Sequence, residues 1–162
     1  MRLPSATIGF ALFLWPAAAA AQSDTATLNA SVSGLARLSL SSGSMTFADA
    51  DPDAVPFVPA SPPALSITAK ARATEGGEVT LTVLATDDLR SGVDTIPASA
   101  ISWTASGPGF VPGTLSSTAE QLVASWPGSG VRTGSQSFRF QNLWTHPIGT
   151  YTLTMVFTLS AS

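Results

Sequence analysis

The 162-residue sequence contains no cysteine. That excludes disulfides, thiolate metal ligands, cysteine nucleophiles and a lipid-modified N-terminal cysteine together, so the chain must hold its fold by packing alone. Charge is scarce as well: 10 % of residues are Asp, Glu, Lys or Arg, and there is a single histidine. The formal net charge is −3 and no run of basic residues occurs, which argues against nucleic acid or anionic lipid as a partner. Beyond the first 21 residues no window shows a 3.6-residue apolar repeat, and no further apolar run is long enough to cross a bilayer.

The first 21 residues, Met1 to Ala21, place Arg2 before an apolar stretch from Ile8 to Trp15 and end in Ala19-Ala20-Ala21. This is the pattern of a secretory signal peptide cleaved after Ala21. The alternative is a membrane anchor, but Pro16 breaks the run short of the ~20 residues a span needs. Cleavage removes Arg2 and leaves six basic residues against ten acidic ones, a net charge of −4. Residues 22–162 then form one domain, exported to the periplasm, cell surface or extracellular space, with no membrane insertion once the signal is gone. The alanine-rich leader and the absence of cysteine favour a bacterial source. Asn29-Ala30-Ser31 matches a glycosylation sequon, which matters only in a eukaryotic secretory route.

Within that domain the clearest element is the last. From Gly149 to Ser160, Tyr151, Leu153, Met155, Phe157 and Leu159 alternate with Thr150, Thr152, Thr154, Thr158 and Ser160, a period of two that predicts a strand with one wet face. Thr25 to Val32 alternates likewise, with Ala26, Leu28, Ala30 and Val32 on one face, before a Ser33-Gly34 turn. Further strands are predicted at Leu35–Leu40, Met45–Phe47, Ala64–Ala73, Val79–Ala85, Ile101–Ala105, Gln121–Trp126 and Ser135–Asn142, with Glu75-Gly76-Gly77 closing a hairpin. Asp49 to Pro63 carries three aspartates and five prolines and is expected to be a long surface loop or an edge crossing, because proline removes a ladder donor. Seven to nine short strands with frequent Gly and Pro turns describe an all-β antiparallel sandwich, immunoglobulin-like or of related topology.

Few residues could carry chemistry. His146 lies in the turn before the last strand, and no serine sits in a G-x-S-x-G elbow or an S-x-x-K pair, so a hydrolytic triad is not indicated and no enzyme activity is expected. Asp49, Asp51 and Asp53 alternate along a loop and could give calcium some of its six to eight oxygens; Pro52 and Pro56 stand where a turn glycine would be, and no glutamate follows at the twelfth position. Asp87, Asp88 and Asp94 make a second acidic patch. Of the tryptophans, Trp103 alternates with Ile101 and Ala105 as a core residue should. Trp126 and Trp144 border turns and, with His146 beside Trp144, are candidates for stacking a sugar ring.

The ending GTYTLTMVFTLSA, the preceding NLW of Asn142 to Trp144, and ISWTASGPGF resemble the closing strands of bacterial secreted surface domains, notably WxL-type cell-wall domains and fimbrial-subunit-like sandwiches. The resemblance implies a sandwich working by adhesion or assembly without catalysis. Val156-Phe157-Thr158-Leu159 stands where a WxL domain has tryptophan before leucine, so cell-wall binding does not carry over. Three readings follow. One is a structural or adhesive subunit whose Thr25, Leu28, Ala30 and Val32 segment completes a neighbour's sheet, with other copies of itself or cell-surface proteins or glycans as partners. Another is a carbohydrate-binding module using Trp126 or Trp144. The third is a small hydrolase, which would need converging titratable groups.

Overall fold

The computed structural model describes residues 27–162. The expected signal peptide and Thr25 lie outside the described residues. The compact unit runs from Val32 to Ser162.

The protein is all-β, its only helical piece being a 3-10 turn at Ala98–Ala100 among the described residues. Twelve antiparallel segments follow in order: β1 (Leu35–Leu40), β2 (Thr46–Phe47), β3 (Phe57–Ser61), β4 (Leu65–Arg72), β5 (Glu78–Ala85), β6 (Leu89–Ser91), β7 (Asp94–Ile96), β8 (Ile101–Ser106), β9 (Gly113–Thr114), β10 (Gln121–Pro127), β11 (Gly130–Gln141) and β12 (Met155–Ala161). β1, β4, β11, β3, β2, β8 and β9 make one seven-stranded sheet, β10, β5 and β12 a second, and β6 and β7 a small hairpin. The two larger sheets share one apolar core. Leu65, Ile67, Ala69 and Ala71 of β4 meet Val79, Leu81, Val83 and Ala85 of β5, with Trp103, Val123, Trp126 and Phe138 filling in.

The period-two runs explain this arrangement. β4 and β5 bury every second residue, and Gly76, at φ 74°, supplies the turn conformation that a side chain disfavours. β1 and β2 keep one register against β4 and β3, so they behave as one interrupted strand on a second one. Counted so, the principal strands are ordered first, second, sixth, fourth in one sheet and seventh, third, fifth in the other. That is the related topology the sequence left open, since immunoglobulin domains order theirs ABED and CFG.

The hairpin expected at Glu75-Gly76-Gly77 does not form: the chain turns there, but β4 pairs with β1 and β11 and β5 with β10 and β12, so the turn crosses from one sheet to the other. Two further sequence expectations change. Phe57–Ser61, expected within a surface loop or edge crossing, is a strand paired on both sides, with β11 and β2. Asn142 donates its backbone N–H to Pro56 O at 2.9 Å, which sets the even-numbered residues of β3 facing β11. The nitrogen of Pro59 therefore points away from β11, past the end of β2, where no donor is needed. Conversely, Thr27 to Gly34 carries no strand, and its residues are exposed, Leu28 at 96 % and Val32 at 74 %. Leu28, Ala30 and Val32 have the pattern of a strand without a ladder, because pairing partners are not written in a strand's own sequence.

Candidate functional site

One side of the sandwich is closed. β9 pairs with the outer edge of β8, and the chain before it covers β10 through Val111 N–H to Val123 O at 2.9 Å and Ser125 N–H to Gly109 O at 3.1 Å. The other side, where β1 and β12 form the edges, is open among the described residues. Thr86 donates its backbone N–H to Thr154 O, and Ser162 to Glu78 O, so the even-numbered residues of β12 bond to β5. Met155, Phe157, Leu159 and Ala161 turn their N–H and C=O groups to the free edge. By the same argument Ser41 N–H to Ser66 O directs the backbone groups of Ala36, Leu38 and Leu40 outward from β1.

The apolar face at this side is incompletely covered. Leu38, Met155, Phe157 and Leu159 are only half-buried, and Leu40 is exposed. β12 also lacks the usual edge protection: Met-Val-Phe-Thr-Leu-Ser-Ala contains no charge, no proline and no register shift. Its alternation was legible in the sequence, but its position at an edge was not.

At one end of the sandwich the other predicted residues gather in part. Asn142 Nδ2 donates to Ala50 O at 2.9 Å and Val55 O at 3.3 Å, which ties the Asp49–Pro56 loop to the end of β11. Within that loop Asp51 Oδ1 accepts the backbone N–H of Asp53, and Asp53 Oδ1 accepts the indole N–H of Trp144 at 3.1 Å. Trp144 is 70 % exposed on a turn closed by His146 N–H to Leu143 O. The His146 ring packs against Phe140 at 5.4 Å. Its Nδ1 is buried without a partner among the described residues, and burial holds its pKa below the usual 6.5.

The sequence candidates therefore separate. Trp144 and Asp53 touch, and Trp144 presents its ring to solvent. Trp126 does not join them: at an inward position of β10 opposite Val79 it is 3 % exposed, with the Arg132 guanidinium 5.8 Å from its ring. A buried indole offers no stacking face, so Trp126 is a core residue. The calcium expectation at Asp49, Asp51 and Asp53 also finds no cage, since among the described residues no three acidic or histidine side chains converge on one point. Asp51 and Asp53 instead spend carboxylate oxygens on the turn and on Trp144.

No protein-family model, curated protein or solved structure matches this chain.

Proposed function

We propose that this is a non-catalytic, exported surface or structural domain that assembles with further copies of itself by β-strand addition. The observation that carries the reading is the unprotected edge of β12. A flat, uncharged edge strand above a half-covered apolar face is a liability in a monomer, and natural sheets usually blunt it. The donor is the exposed alternating segment Leu28-Asn29-Ala30-Ser31-Val32 of a neighbouring copy. Its ladder would use the free backbone groups of Met155, Phe157 and Leu159, and its apolar side chains would cover Leu38 and the β12 face. Full burial of Leu28 or Val32 would contribute about 1.5–3 kcal/mol each.

The test is light scattering on a sizing column, comparing the chain from Gln22 with one starting at Gly34. Under strand addition the longer protein shows mass rising with concentration, while the shorter one is a folded monomer. A longer protein that stays monomeric across the range sinks the reading.

Trp144 favours a second reading, glycan binding at the loop end. A solvent-facing indole held by a carboxylate suits stacking against a pyranose ring. Trp144→Ala should abolish glycan retention on neutral polysaccharide columns without altering the fold; retention that survives the substitution removes this reading.

A further inference from the structure

The seven-stranded sheet contains no acidic residue, although the chain has ten. It does contain Arg37, Lys70, Arg72, Arg132 and Arg139, five of the chain's seven basic residues. Side-chain alternation sends Arg132 inward to Trp126 and the other four to the outer face, where all four are exposed. A sequence without a basic run thus yields a cationic face, assembled by cross-strand register.

The register is specific about where. Arg37 on β1 stands directly opposite Lys70 on β4, and Arg72 follows two residues along on the same face. Like charges directly opposed destabilise an antiparallel pair. Nothing on the sheet offsets this, since the ion pair found among the described residues is Arg90 with Asp87, on the separate β6–β7 hairpin. The next rung of the face is Ser39, Thr68 and Thr133. Arg37, Leu38, Ser39, Thr68 and Lys70 line a shallow depression of about 330 Å³.

From this juxtaposition we propose that the outer face of β1 and β4 binds an acidic polysaccharide, its carboxylates on Arg37, Lys70 and Arg72 and its hydroxyls on the Ser39 and Thr68 rung. Charge complementarity selects a polyanion, because three cations that form no ion pair among the described residues lower their mutual repulsion when one extended anionic chain crosses them. Serine and threonine on the intervening rung select a sugar polymer. A nucleic acid strand would call for aromatic side chains to stack its bases. The exposed apolar residues beside the cations are Leu35, opposite Arg72, and Val131, opposite Lys70, two isolated aliphatic side chains where a bilayer surface calls for a continuous apolar face. The face is separate from the Trp144 turn, and the inference does not rest on strand addition.

The test uses the whole protein with polygalacturonate, with dextran as the neutral control and a thymidine oligonucleotide of matched charge as the competing polyanion, by titration calorimetry at low and at physiological salt. The expected result is binding to polygalacturonate that weakens with salt, no binding to dextran and weaker binding to the oligonucleotide. The Arg37→Gln, Lys70→Gln, Arg72→Gln triple variant should lose roughly a hundredfold in affinity at low salt, while Arg90→Gln binds as the parent does. Because the three residues are exposed, the triple variant should retain the parent melting temperature or exceed it. A folded triple variant that binds unchanged overturns the proposal, as does absence of polygalacturonate binding at low salt. Equal or tighter binding of the oligonucleotide overturns it too, by showing a face that reads charge alone.

Discussion

The ring of Phe110 lies against the backbone of Gly134, so that a Cβ on Gly134 would overlap three atoms of the ring. Phe110 itself bridges to Ala124 of β10, while Gly134 belongs to β11. This one contact joins the two sheets at their closed side, and it needs the absence of a side chain. Gly134→Ala should therefore destabilise by about 1–3 kcal/mol, the usual cost of overpacking. Gly130→Ala is the control, because its added Cβ would meet nothing nearer than Arg132 Nη1 at 3.6 Å. Urea titration should show a lowered midpoint at unchanged slope for the first and little change for the second.

Asn142 holds the acidic loop by two bonds from one amide. Asn142→Ala removes both and leaves Ala50 O and Val55 O to find water. The expected loss is about 1–2 kcal/mol, concentrated in the loop. Hydrogen exchange should quicken for residues 50–56 and stay unchanged in β5. Uniform quickening across the sandwich would show that the loop is not a separate unit of stability.

Gln136 is fully buried on β11, and neither its Oε1 nor its Nε2 has a partner among the described residues. Its sequence position, two residues before Phe138 on the inward face, explains the burial. A buried amide without partners costs about 1–3 kcal/mol in desolvation, and methionine has nearly the same shape without that cost. Gln136→Met should raise the melting temperature. A lowered value would mean that the amide is satisfied in solution by buried water.

The sequence exposed what a strand writes into its own residues and hid what depends on a neighbour. The β12 alternation, the turn at Glu75-Gly76-Gly77 and the inward place of Trp103 could be read because period two and glycine turns are local signals, whereas the hairpin expected there could not, because β4 and β5 take their partners in different sheets. Trp126 misled because it borders a turn, yet a register shift between Leu122 and Ala124 fixes which side of β10 faces the core. Phe57–Ser61 was masked by prolines that are tolerated only because of which way Pro59 points. The cationic face was invisible because Arg37 and Lys70 are 33 positions apart in the chain, and only the ladder brings them opposite each other. Of the end-loop residues, the Trp144–Asp53 contact likewise spans 91 positions.

His146 gives a pH test. Burial holds its folded-state pKa below the usual 6.5, so the folded state binds the proton less readily than the unfolded chain does. Its contribution to stability is thus fully present above about pH 6.5 and is lost as the pH falls through the window between that value and the lowered one. The melting temperature should therefore drop more between pH 7.5 and 5.5 in the parent than in His146→Gln, which cannot titrate. Equal drops would mean that the ring titrates alike in both states and that the Phe140 contact opens readily to water.

The open edge of β12 can be tested without truncating the chain. Val156 lies on the wet face of that edge strand, opposite Leu84, and is half exposed. A lysine there adds a charge beside the free ladder groups of Met155 and Phe157, which is how natural sheets discourage edge pairing. Because the side chain points to solvent, Val156→Lys should change monomer stability by no more than about 0.5 kcal/mol. Under strand addition it should shift self-association to higher protein concentration, read as average mass against dilution. If association persists unchanged in a folded Val156→Lys protein, copies meet through some other surface, and β12 is an edge kept monomeric by the rest of the fold.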